Sequence, residues 1–168
     1  MSVPVAGGAA RRRALLRLAA SAPLLLLWAV PGDAWPGGMG AAVDLFWAVL
    51  PGLAYAGMAL GFARSLLPGH EPVIARYNRF DETKDPVECA GYARGLTLFW
   101  AVALALAAAA DLLAVARGVD LGWGPDAVLL ALFLGEHALR SLLFPAGGIA
   151  WPSQTLRAIM RAERARHG

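Results

Sequence analysis

The chain has 168 residues, of which 58% are hydrophobic and 16% charged, with a formal net charge of +3. Soluble domains carry about 25% charged residues. The apolar excess here falls in long blocks rather than at helical or alternating period, which excludes disorder, a collagen repeat and a disulfide scaffold and points to the bilayer. A single cysteine, Cys89, leaves no internal disulfide, and no Cys/His cluster has metal-ligand spacing. All basic residues but Lys84 are arginine. No basic stripe with interleaved aromatics is long enough to follow a nucleic acid backbone, so the basic balance suits anionic lipid.

Four apolar blocks follow in chain order. The first, 14–30, comes after Arg11-Arg12-Arg13 and is interrupted by Arg17 and Pro23. Two readings fit it: a short first span, or a cleaved secretory signal with a small-residue exit at Gly32-Asp33-Ala34. The second block covers 45–67 and holds Gly57 and Gly61 at a small-xxx-small spacing that lets helices approach. The third, 96–116, opens on Phe99-Trp100 and is nearly continuous Ala and Leu up to Asp111. The fourth, 126–144, carries Glu136, His137 and Arg140.

Arginine placement sets the expected orientation. Arg64, Arg76, Arg79, Lys84 and Arg94 cluster around the second-to-third connection, and Arg157, Arg161, Arg164 and Arg166 fill the tail. The other two connections hold Arg117 among Asp33, Asp44, Asp120 and Asp126. By the positive-inside rule the fold is an all-α integral membrane protein with four transmembrane helices, three if the first is a cleaved signal, N-in and C-in. Trp28, Trp47, Trp100, Trp123 and Trp151 fall near span ends, as an interfacial aromatic belt requires. Residues 1–168 then form a single membrane domain in a bacterial inner membrane.

The cytoplasmic loop, 68–95, is the long polar segment. Pro72 suits the start of a helix in which Val73, Ile74, Tyr77 and Phe80 recur at helical spacing with Arg76 and Arg79 opposite. This predicts a short amphipathic helix resting on the inner membrane surface. It reads either as a connector or as a docking surface for an acidic partner, for which Arg76, Arg79, Tyr92 and Arg94 are the candidates. Asp81, Glu82, Asp85 and Glu88 follow and offset the local positive charge. The tail, 146–168, predicts a second interfacial helix capped by Ser153, with Leu156, Ile159 and Met160 on one side.

Ionisable groups inside a span cost at least about 2.5–3.5 kcal/mol each and need partners. Glu136 and Arg140 are i,i+4 and are expected to pair near the midplane. His137 is expected to point about 100° away from Glu136 around the helix. Asp111, about 7 Å from the outer end of its span, is expected to reach water or Arg117. Asp111, Glu136, His137 and Arg140 are thus the candidate intramembrane polar residues. No cofactor and no metal is expected, and no nucleophile elbow, phosphate loop or paired-carboxylate arrangement marks the chain as an enzyme.

The run from Pro72 through Val73, Ile74, Ala75, Arg76, Tyr77, Asn78 and Arg79 to Phe80, then Pro86, then Tyr92-Ala93-Arg94 with Thr97 and Trp100, resembles a small uncharacterised bacterial membrane-protein family encoded with aryl-polyene (xanthomonadin-type) pigment biosynthesis genes. Gly135-Glu136-His137 followed by Arg140 resembles the same family's last-span element. The resemblance covers 45–145. It departs at Ala75, where the family favours Glu, at Ala93-Arg94-Gly95, where it favours Thr-Arg-Arg, and at His137, where it favours Tyr. It implies a place in that pathway and no particular reaction; the arginines beside apolar residues at the inner interface then suggest an accessory or scaffold protein holding an acyl carrier protein or acyl-activating enzyme at the inner membrane. The alternative is a small transporter or flippase subunit for a lipid-like product.

Overall fold

The computed structural model describes residues 30, 34–80, 90–143 and 151–167. The first apolar block lies outside the described residues except Val30, as do the loop acids at 81–89. The chain divides into two compact units, 1–48 and 49–168. Within the first, the Trp35 indole N–H donates to the Val30 carbonyl at 3.3 Å, and the Phe46 and Trp47 rings meet edge to face at 5.2 Å.

All the regular structure among the described residues is helical. It comprises α1 (Met39–Ser65), α2 (Val73–Asn78), α3 (Ala90–Ala116), α4 (Gly124–Leu143) and α5 (Pro152–His167). Two of them, α1 and α3, are long and apolar enough to cross a membrane. Each has 27 residues and is therefore about 40 Å long. Leu53, Leu60, Val102, Leu106 and Leu113 are all at least half exposed along them. In water so much exposed apolar surface is a liability, whereas in a bilayer it is the lipid-facing side. The fourth block folds as the 20-residue α4, whose lower apolar content reflects Asp126, Glu136 and Arg140.

Helix ends follow local chemistry. Gly118 at φ 65° closes α3: Val119 N–H donates to the Ala114 carbonyl at 2.9 Å and Gly118 N–H to Val115 at 3.0 Å, the Schellman pattern. Asp120 then accepts the Gly122 N–H at 2.7 Å, and Pro125 sits in the first turn of α4, where no N–H is needed. At α5 the cap differs from expectation. Ser153 lies inside the first turn, and the Trp151 N–H donates to the Gln154 side chain at 3.0 Å, tying the chain just ahead of Pro152.

Helices α1, α3 and α4 run antiparallel in turn. Tyr55 and Ala59 pack with Leu104 and Ala108, and Trp100 meets Phe133 at 6.4 Å between centroids. The tight approach is at Gly52, where an added Cβ would stand 2.8 Å from Leu112 and 3.2 Å from the Asp111 Cβ. Gly57 and Gly61 face open space, so the expected small-xxx-small contact is not where these helices meet. Trp100 sits against Phe133, while Trp123 and Trp151 are exposed.

The short helix α2 is built into the bundle rather than laid beside it. Pro72 precedes it with no side-chain cap, which leaves its first N–H groups needing partners. Ser65 supplies one, accepting the Val73 N–H at 3.1 Å while donating to Phe62 at 2.7 Å. Thr97 supplies the next, accepting the Ile74 N–H at 3.3 Å while donating to Ala93 at 2.7 Å. Both hydroxyls are buried, so each bond is made where water offers no substitute. Helix α5 packs against α2, burying Ala158 and Ala162.

Candidate functional site

At the end of the bundle carrying α2, here the loop end, α4 buries three polar side chains: Glu136, His137 and Arg140, with 8%, 4% and 8% exposure. Spacing of one helical turn lets Arg140 grip Glu136 with two bonds, Nε to Oε1 at 2.7 Å and Nη2 to Oε2 at 2.6 Å. The Tyr92 hydroxyl adds a third donor to Oε1 at 3.2 Å. The pair is neutral in sum. Every buried side-chain polar atom among the described residues has a partner.

His137 joins this array, contrary to the expectation that it points away. Its Nδ1 lies 3.0 Å from Glu136 Oε2 and 2.8 Å from the Phe133 carbonyl one turn back. Rotation about the side-chain bonds closes the angle that separates neighbouring residues on the helix. Both neighbours of Nδ1 are acceptors, so the proton is assigned there, and Nε2 accepts from the Thr155 hydroxyl of α5 at 3.0 Å. The ring also stacks obliquely on Phe133, 4.3 Å between centroids.

Tyr92 is the third residue of α3, and its hydroxyl reaches Glu136, which stands past the middle of the 20-residue α4. The same bond moves Tyr92 from the surface set to the interior one. Helix α3 begins at Ala90, so Tyr92 and Arg94 belong to a helix and not to the loop. Residue spacing along α3 turns Tyr92 inward beside Ala93, Leu96 and Thr97, all of which are buried.

These residues border a cavity of about 240 Å³. Glu136, His137, Arg140 and Thr155 form its polar side, and Phe62, Leu96, Trp100, Leu104, Phe133 and Ile159 form apolar wall. Ile74, Tyr77 and Asn78 of α2 line it too, so the helix anchored by Ser65 and Thr97 also walls the cavity. A volume near the lower limit of ligand sites, about 300–1,000 Å³, with few polar groups in an apolar lining, is the usual form of a small-molecule pocket.

The three candidate docking arginines gather at the same end. Arg79 pairs with Glu71 at 2.7 Å, Arg94 donates to the Leu66 carbonyl at 3.0 Å, and the Arg76 guanidinium lies 5.5 Å from the Tyr77 ring centroid. Arg79 and Arg94 are exposed and Arg76 is half-buried. Such exposed contacts add little stability, so they position the cations more than they hold the fold.

Asp111 is elsewhere. It is half-buried beside Gly52, nineteen residues and about 28 Å along α3 from Tyr92, and among the described residues no ion pair joins it to Arg117. Near it the buried Tyr55 hydroxyl donates to the Asp126 carboxylate, joining α1 to the first turn of α4. The apolar cluster of Tyr55, Ala59, Leu104 and Ala108 occupies the stretch between this end and the Glu136 array. Thr155, Ser65 and Tyr55 are not singled out by sequence reasoning. Their signal is a lone hydroxyl near an element's end or in an apolar helix, which does not name its partner.

A second, open groove of about 800 Å³ runs between α3 and α4, lined by apolar residues such as Leu98, Val102, Leu106, Val128 and Leu132. Among the described residues no group of three His, Cys, Asp or Glu is placed to hold a metal ion. No protein-family model, curated protein or solved structure matches the chain.

Proposed function

We propose that the chain is a membrane-embedded accessory protein that holds an acidic cytoplasmic partner at the inner surface of a bacterial inner membrane. In this reading it has four spans, N-in and C-in, and the partner is an acyl carrier protein or acyl-activating enzyme of an aryl-polyene or related polyketide-like pigment pathway. The role is one of binding, not of catalysis. One observation carries it: Arg76, Arg79 and Arg94 stand at one end of the bundle around α2, a helix fixed by two buried hydroxyl caps. Cations on a rigid platform favour association with acidic surfaces through steering and charge complementarity.

The test is capture of the carrier protein by the full chain reconstituted in lipid nanodiscs. Capture should fall when Arg76, Arg79 and Arg94 are changed together to Gln and should weaken with rising salt. Unchanged recovery by the triple variant removes the docking role.

A second reading, a transporter or flippase subunit for a lipid-like product, is favoured by the cavity that opens beside Glu136 and Arg140. Glu136→Gln should then halt export while synthesis of the product continues. The apolar stretch separating Asp111 from Glu136 gives this reading no continuous polar path.

A further inference from the structure

We propose that the cavity at the loop end is a binding site for an uncharged amphipathic molecule that presents one hydrogen-bond donor, of phenol or alcohol type, to the Thr155 oxygen. This goes beyond the docking role and needs no protein partner.

The direction of the hydrogen-bond chain assigns the ligand class. His137 Nδ1–H is committed to Phe133 and Glu136, so Nε2 offers a lone pair and takes the Thr155 proton. A hydroxyl that has donated its one proton has lone pairs left to accept with. The free valence that Thr155 turns to the cavity is therefore an acceptor, and it calls for a donor from the ligand. An anion would bring lone pairs against that oxygen and against the nearby Glu136 carboxylate. Arg140 does not reverse this preference, because its charge is already neutralised by the two bonds to the Glu136 carboxylate. A cation would enter a neutral, largely apolar site and lose hydration with no unpaired carboxylate to meet it. The remaining wall, from Phe62 to Leu104 and Phe133, favours a slim apolar body, and the volume of about 240 Å³ limits it to a single ring or a short chain.

The experiment uses the full chain purified in maltoside detergent and three probes of similar shape: 4-propylphenol, propylbenzene and 4-propylbenzoate. Binding is followed by calorimetry, with empty micelles subtracted. The phenol should bind saturably at one site per chain, about tenfold more tightly than propylbenzene, as one net hydrogen bond allows, and more tightly still than the benzoate. Thr155→Val removes the acceptor at constant shape and should erase the preference for the phenol over propylbenzene. Met58→Trp should weaken all three by filling space from a lining position that is already 46% exposed, so folding is not at stake. Binding no greater than to empty micelles, a benzoate that equals the phenol, or a phenol preference that persists in Thr155→Val overturns the assignment. Docking of an acidic protein is read separately by the triple arginine variant, so either result stands without the other.

Discussion

The Thr97 hydroxyl takes the Ile74 backbone N–H at 3.3 Å while giving its own proton to Ala93, so one fully buried side chain joins α2 to α3. Thr97→Val keeps the shape and leaves that N–H without a partner. Loss of a buried partner costs about 1–3 kcal/mol. Thermal unfolding in detergent should show Thr97→Val clearly destabilised and Thr97→Ser close to the parent, because serine retains the oxygen.

Glu136 and Arg140 form a buried pair whose halves depend on each other. Glu136→Leu or Arg140→Leu alone should destabilise by about 3–5 kcal/mol, since each leaves a buried group uncompensated. The double change Glu136→Leu with Arg140→Leu should cost less than either single change. Denaturant titration of all four proteins in mixed micelles reads this directly, and strictly additive losses would refute the coupling.

Gly52 is where α1 comes closest to α3. Gly52→Ala places a methyl group 2.8 Å from Leu112, and overpacking of this kind costs about 1–3 kcal/mol. Adding Leu112→Ala should recover most of the loss, which a melting comparison of the single and double variants will show. Gly57→Ala, facing open space, should be neutral or slightly stabilising.

The proposed orientation predicts opposite labelling of two exposed turns. In a Cys89→Ser background, His70→Cys should react with a membrane-impermeant maleimide only after the inner face is opened. Val119→Cys should react in intact spheroplasts. The reverse pattern, or reaction of both from one side, would show that α3 does not cross as proposed.

Parts of this molecule are readable from residue pattern alone. The apolar blocks mark α1, α3 and α4, because length and hydropathy are additive properties of a segment. The starts of α1 and α3 extend earlier than the blocks, to Met39 and Ala90, because their alanines favour helix strongly enough to carry the neighbouring glycines and one or two polar residues. The Glu136–Arg140 contact follows from spacing within one helix. The Tyr92–Glu136 bond does not, since it joins residues 44 apart through the packing of α3 on α4. The caps on α2 come from Ser65 and Thr97, 8 and 23 residues from the groups they serve, and a local capping rule looks only at Pro72 and its neighbours. Glycine spacing marked Gly57 and Gly61, but the face that meets α3 carries Gly52, and spacing alone does not say which face that is.

The Thr155 hydroxyl that completes His137 is made 18 residues after it. Because that hydroxyl comes from α5, the cavity has its last wall only when α5 is folded back onto α2 and α4. A lesion confined to α5 would leave the Glu136–Arg140 pair intact within α4 while leaving the pocket unfinished.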